Sequence, residues 1–104
     1  MLKFTDENFQ AEVLQSTQPV VIDFWAEWCG PCRMIAPVYE RIAEQFKDKA
    51  KFGKANVDET GLGAEFDVRG IPTFAIVKDG NIVDVLVGAQ SEGKIKQWLE
   101  KTLG

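Results

Sequence analysis

The only two cysteines of the chain, Cys29 and Cys32, sit three positions apart in the segment Trp28-Cys29-Gly30-Pro31-Cys32. A disulfide between them closes so short a loop that it stabilises the fold by only about 2 kcal/mol, less than a bridge joining distant segments. The pair is poorly placed as a staple. Histidine is absent, so two thiolates cannot complete a cysteine or cysteine–histidine zinc shell within one chain, and no nucleophilic cysteine–histidine pair can form. Neither a resident metal nor a cofactor is expected. What remains is thiol–disulfide exchange, or a buried thiol pair that does nothing.

Which of the two holds depends on the elements around the pair. The run Val20 to Ala26 is apolar on both alternating faces except at Asp23, the pattern of a strand covered on both sides. After the cysteines, Met34, Ile35, Val38, Ile42 and Phe46 recur at helical spacing, predicting a helix to about Lys49 with a kink at Pro37. The cysteines therefore fall where a buried strand ends and a long helix begins, with Pro31 in the first turn, where proline is tolerated. Cys29 is expected exposed at the helix mouth, where unpaired N–H groups and the positive end of the helix dipole favour a thiolate. Cys32, three residues on, lies on the same face, near enough for disulfide geometry. The short loop then works as a switch.

The rest of the chain alternates strand and helix signals without a repeat or a low-complexity segment. Residues 2–4 read as a short strand, and Thr5 or Asp6 caps a helix carrying Phe9, Val13 and Leu14. Residues 51–57 read as a second central strand, and residues 60–67 as a weak helix interrupted by Gly61 and Gly63. Residues 73–78 and 81–87 form a hairpin about Asp79-Gly80, and Ser91 caps a final helix bearing Ile95, Trp98, Leu99 and Leu103. The order βαβαβαββα implies an α/β fold with a mixed sheet and helices on both faces. At 104 residues, 45% of them hydrophobic, the chain fits one domain over residues 1–104 and is too short for two.

A net charge of −4 argues against nucleic acid or an anionic membrane as a general partner. Lys47, Lys49, Lys51 and Lys54, interleaved with Asp48, come nearest to a basic patch and read mostly as a solvated helix end. Met1-Leu2-Lys3-Phe4 runs directly into Thr5-Asp6-Glu7-Asn8 with no apolar leader and no membrane-length run, so a cytoplasmic protein is expected.

Two further residues invite chemistry. Asp23 in an apolar strand loses hydration, which raises its pKa; the alternative is that it reaches solvent at a strand edge. Pro72 opens a strand, where proline is permitted and is ordinarily trans.

Phe24-Trp25-Ala26-Glu27 with the Trp28–Cys32 segment, Pro37, Asp58, Arg69-Gly70-Ile71-Pro72-Thr73, Asp79-Gly80 and Val87-Gly88-Ala89 together resemble the thioredoxin family over essentially the whole chain. The resemblance implies a five-stranded mixed sheet with four helices, and general protein-disulfide reduction with recharging by a thioredoxin reductase. It implies Cys29 as the attacking thiolate and Cys32 as the resolving thiol. Asp23 matches the buried aspartate that exchanges a proton with the resolving cysteine through water, and Lys54 the lysine near it. Pro72 matches a cis-proline beside the cysteines that leaves the Ile71 backbone free to pair with an extended substrate. An apolar surface of Trp28, Gly30, Pro31, Gly70, Ile71, Pro72, Val87, Gly88 and Ala89 is implied around Cys29, suited to many partners. Trp25 and Trp98 read as core packing. Clients implied by the resemblance are ribonucleotide reductase, peroxiredoxin and methionine sulfoxide reductase, met by a monomer.

The chain departs from the family at Thr60-Gly61-Leu62-Gly63, where Asn-Pro or Asn and then Leu-Ala are more usual, so the third helix is expected frayed or late in starting. Two competing functions have sequence-level objections. A disulfide oxidase or isomerase usually carries histidine before the second cysteine, where Pro31 stands. A binding subunit with incidental thiols would keep its function without Cys29.

Overall fold

The computed structural model describes residues 1–104. Its five strands are β1 (Leu2–Lys3), β2 (Val20–Trp25), β3 (Lys51–Asn56), β4 (Thr73–Lys78) and β5 (Asn81–Val87). They form one sheet in the order β1-β3-β2-β4-β5. The β1–β3 and β2–β3 pairs are parallel, and the β2–β4 and β4–β5 pairs antiparallel. Four helices complete the fold: α1 (Gln10–Leu14), α2 (Gly30–Gln45), α3 (Leu62–Glu65) and α4 (Glu92–Leu103).

The sheet separates two apolar layers. Val21, Tyr39, Ile42, Phe74, Ile95 and Leu99 pack on the side of α2 and α4. Phe4, Phe9, Val13, Ile22, Phe24 and Leu62 pack on the other. β2 feeds both layers because its odd and even residues point to opposite faces, which is why its sequence reads as a continuous apolar run. Tyr39 ties α2 to the sheet: its hydroxyl lies 2.8 Å from the Gly53 carbonyl oxygen and 3.2 Å from that of Val21.

The hairpin forms as expected, with positive φ at Asp79 (52°) and Gly80 (80°), the backbone that a two-residue turn between twisted strands requires. Ser91 caps α4, its hydroxyl accepting the Lys94 amide at 3.2 Å. Other boundaries move. Thr5 and Asn8 exchange side chain to backbone bonds at 2.8 and 3.1 Å, but the helix that follows is a single wide turn closed by the Gln15 amide on the Gln10 carbonyl. Leu14, expected inward, is exposed. α2 stops at Gln45 rather than near Lys49, because Lys49 and Ala50 both turn their amides back to the Phe46 carbonyl. Pro37 lies inside α2 without ending it. Met34 is 81% exposed, a correction to the apolar stripe. The buried face runs instead through Cys32, Ile35, Tyr39 and Ile42, and Tyr39 takes an inward position that the stripe had not included. α3 is reduced to one turn, in keeping with its two glycines. Its entry is held by Asp6, whose carboxylate accepts the Gly61 amide at 3.0 Å.

Candidate functional site

β2 delivers its C-terminal end to the start of α2, and the Cys29 amide bonds the Ala26 carbonyl at 3.2 Å to turn the chain between them. Cys29 caps α2 with its own sulfur: Sγ accepts the Cys32 amide at 3.2 Å. One of the unpaired N–H groups of the helix start is thereby aimed at the atom that would carry negative charge in the reduced protein. Cys29 and Cys32 are joined as a disulfide with Cα atoms 5.2 Å apart. Both are buried in this state, at 4% and 2% exposure, which corrects the expectation of an exposed Cys29. Ala26 is packed with the pair, and Trp25, Val57 and Ile71 lie against them.

Part of the expected surface set lies beside Cys29. The Ile71 carbonyl lies 3.9 Å from Cys29 Sγ, and the Ile71–Pro72 bond is cis. The Gly88 amide donates to the Pro72 carbonyl at 2.8 Å, which brings Val87, Gly88 and Ala89 beside the proline. Trp28 is 70% and Val87 58% exposed, and Pro31, Gly70 and Ala89 are also exposed, with Gly30, Ile71 and Gly88 intermediate. Pro72 is the exception: it is buried. Gly70, Ile71 and Val57 border a hollow of about 330 Å³. A larger one of about 580 Å³, walled by Met1, Glu40, Glu44, Lys47 and Lys51, lies against the C-terminal half of α2 and includes neither cysteine.

Asp23 is fully buried, paired in register with Lys54 on β3 and Phe74 on β4. Neither of its oxygens has a hydrogen-bond partner. Loss of hydration pushes its carboxyl from 3.8 up to about 7, an effect that the Lys54 charge partly opposes. The strand-edge alternative is excluded. Tyr39, beneath the same site, has its phenol pushed well above the ordinary value by burial first and by Asp23 second. Lys54 does not pair with Asp23; its Nζ sits 4.4 Å from the centre of the Trp25 ring.

Three contacts were not legible in the sequence. The Trp28 indole N–H donates to Asp58 at 2.7 Å, across thirty positions of chain, and Trp25 holds the Lys54 cation in addition to packing. Trp98, read as core, is only partly buried, and its indole donates to Asp84 at 2.9 Å.

A sequence model of the family Thioredoxin matches residues 1–101. The chain is 48% identical over 100 residues to Thioredoxin 1 of Synechococcus elongatus, covering 95% of this chain and 94% of that protein. It is 49% identical over 100 residues to Thioredoxin 1 of a Nostoc species, with the same coverage. A thioredoxin of Acidithiobacillus ferridurans is 41% identical over 104 residues, covering 99% of this chain and 96% of its own.

Proposed function

Since the chain belongs to the thioredoxin family and works as a dithiol–disulfide oxidoreductase that reduces protein disulfides, we propose how its residues divide that reaction. The Cys29 thiolate attacks a client disulfide, forming a mixed disulfide and releasing one client thiolate. Cys32 then attacks the Cys29 sulfur, which forms the Cys29–Cys32 disulfide and releases the second client thiol. Two electrons pass to the client. The observation that carries these roles is the Cys32 amide aimed at Cys29 Sγ in the first turn of α2. A second thiol one turn away has a large effective concentration, so the covalent complex is short-lived.

Asp23 takes the proton of Cys32 as that thiol attacks. A carboxyl brought near 7 by burial is available in both protonation states at working pH, the condition that suits proton transfer. Lys54 favours the ionised form. Trp28, Gly30, Pro31, Gly70, Ile71, Val87, Gly88 and Ala89 bear the client, with Pro72 buried beside them, and the Ile71 backbone pairs with an extended client segment. A family member needs disulfide-bearing substrates and a reductase. The finer reading is a one-domain cytoplasmic monomer recharged by thioredoxin reductase, serving clients such as ribonucleotide reductase, peroxiredoxin and methionine sulfoxide reductase. No helix is long and apolar enough to cross a membrane.

Stoichiometric reduction of insulin by the reduced protein, followed by mass spectrometry as separated insulin chains alongside oxidised protein, tests this reading. A turnover assay on the same client, with a small dithiol recycling the protein, tests the surface. Asp58→Ala frees the Trp28 ring, and KM should rise by about three- to tenfold with kcat little changed, the pattern of lost uniform binding. An unchanged KM would remove Trp28 from the client surface.

A further inference from the structure

Lys54 and Asp23 face each other in register across β3 and β2, where a lysine and a carboxylate would ordinarily pair. They do not: the Asp23 oxygens are without partners, and none of the ion pairs of the protein includes either residue. The ammonium lies over Trp25 instead. Trp25 is two residues beyond Asp23 on β2, hence on the same face of the sheet. It is half-buried and packs against the disulfide.

We propose that Trp25 is the positioning residue of this proton site: its indole face holds the Lys54 ammonium close to Asp23 but out of ion-pair contact, so that the buried carboxyl keeps its capacity to carry a proton. The negative face of an indole attracts an ammonium without requiring it to surrender all its water. Contact with Asp23 would strip both charges of hydration. It would also fix the aspartate as a carboxylate, and a carboxylate so fixed is a poor proton carrier. The remaining groups around the pair do not take over this task. Tyr39, facing Asp23 from α2, has a neutral phenol, and Phe74 on β4 is uncharged. Lys3, the β1 register partner of Lys54, is bonded to Glu59 at 3.5 Å.

The inference rests on the reading of Asp23 as the proton carrier for Cys32, and the experiment separates the two. The Asp23 carboxyl carbon is followed by NMR against pH in the oxidised protein and in Trp25→Leu, Trp25→Phe and Trp25→Leu/Lys54→Met. Trp25→Leu releases the cation onto Asp23, and the midpoint should fall from about 7 to about 5, since an opposite charge at pairing distance lowers a carboxyl by about 1–3. Trp25→Phe, which keeps a ring, stays near the parent. The double variant returns to about 7 or above. An unchanged midpoint in Trp25→Leu overturns the proposal, as does an equal fall in the double variant, which would make hydration of the site the cause. Lys54→Met alone supplies a check that leaves Trp25 in place: it should raise the midpoint by well under the about 1–3 of a broken ion pair, and a full-sized rise overturns the proposal. If the midpoints move as stated while the pH profile of kcat does not follow, the assignment of Trp25 stands and the proton-carrier reading of Asp23 falls.

Discussion

Cys32→Ser, reduced and mixed with a disulfide-bearing protein, is expected to accumulate as a covalent one-to-one adduct through Cys29, while its turnover falls by about a thousandfold or more. Cys29→Ser should lose turnover by at least as much, on the scale seen when a nucleophile is removed, and form no adduct. The asymmetry follows from the local geometry. Cys29 caps α2 and receives the Cys32 amide, so its thiolate is stabilised by a donor already in place. Cys32, inside the first turn, is placed to attack the Cys29 sulfur and little else. Mass spectrometry of the quenched mixture checks it. An adduct through Cys32 in the Cys29→Ser variant would exchange the two roles.

Asp23→Ala should act with opposite signs on stability and activity. The carboxyl titrates near 3.8 in the unfolded chain and at about 7 in the folded one. Below pH 3.8 both states hold the proton, and this group adds no pH dependence. Between 3.8 and about 7 the unfolded chain releases a proton that the native protein retains, so stability falls as pH rises. Above about 7 the loss is complete, on the order of 4 kcal/mol. Alanine removes that cost and leaves a small cavity in exchange. A net gain of about 2 kcal/mol at pH 8 is expected, a rise of roughly 10 °C in Tm for a domain of this size, with little gain at pH 4. Turnover should drop by about tenfold or more as the proton route to Cys32 is lost. Calorimetry at the two pH values together with a turnover assay checks both signs, and a destabilised variant with normal turnover would contradict both.

What the sequence made legible is what local pattern determines. The apolar run 20–26 gave β2 to within one residue, because covering on both faces leaves no polar position to confuse the period. Asp79-Gly80 gave the hairpin, because few residue pairs accept two successive positive φ values. The glycines at 61 and 63 anticipated the shrinkage of α3 to a single turn. The misplaced features depend on partners distant in the chain. Met34 belonged to an apolar stripe by spacing, yet a stripe does not reveal that Tyr39 is the residue that reaches the Gly53 carbonyl. The burial of Cys29 depends on Ile71 and Val57 closing over the disulfide, and the Trp28–Asp58 bond on a β3–α3 loop that the periodicity does not place. At Lys54 the family resemblance, not the local pattern, named Asp23 as the neighbour, and the strand register pairs the two. The sequence did not foresee that a third residue, Trp25, holds the cation in another position.

The reduction potential of the Cys29–Cys32 couple, measured by equilibration with defined thiol buffers, tests the central claim most directly. A protein-disulfide reductase must lie on the reducing side of the glutathione pool, below about −240 mV, so that electrons run from its dithiol to client disulfides. A potential in the range of oxidising isomerases and oxidases, about −180 to −120 mV, would mean that the pair donates its disulfide, and the reductase account would be wrong.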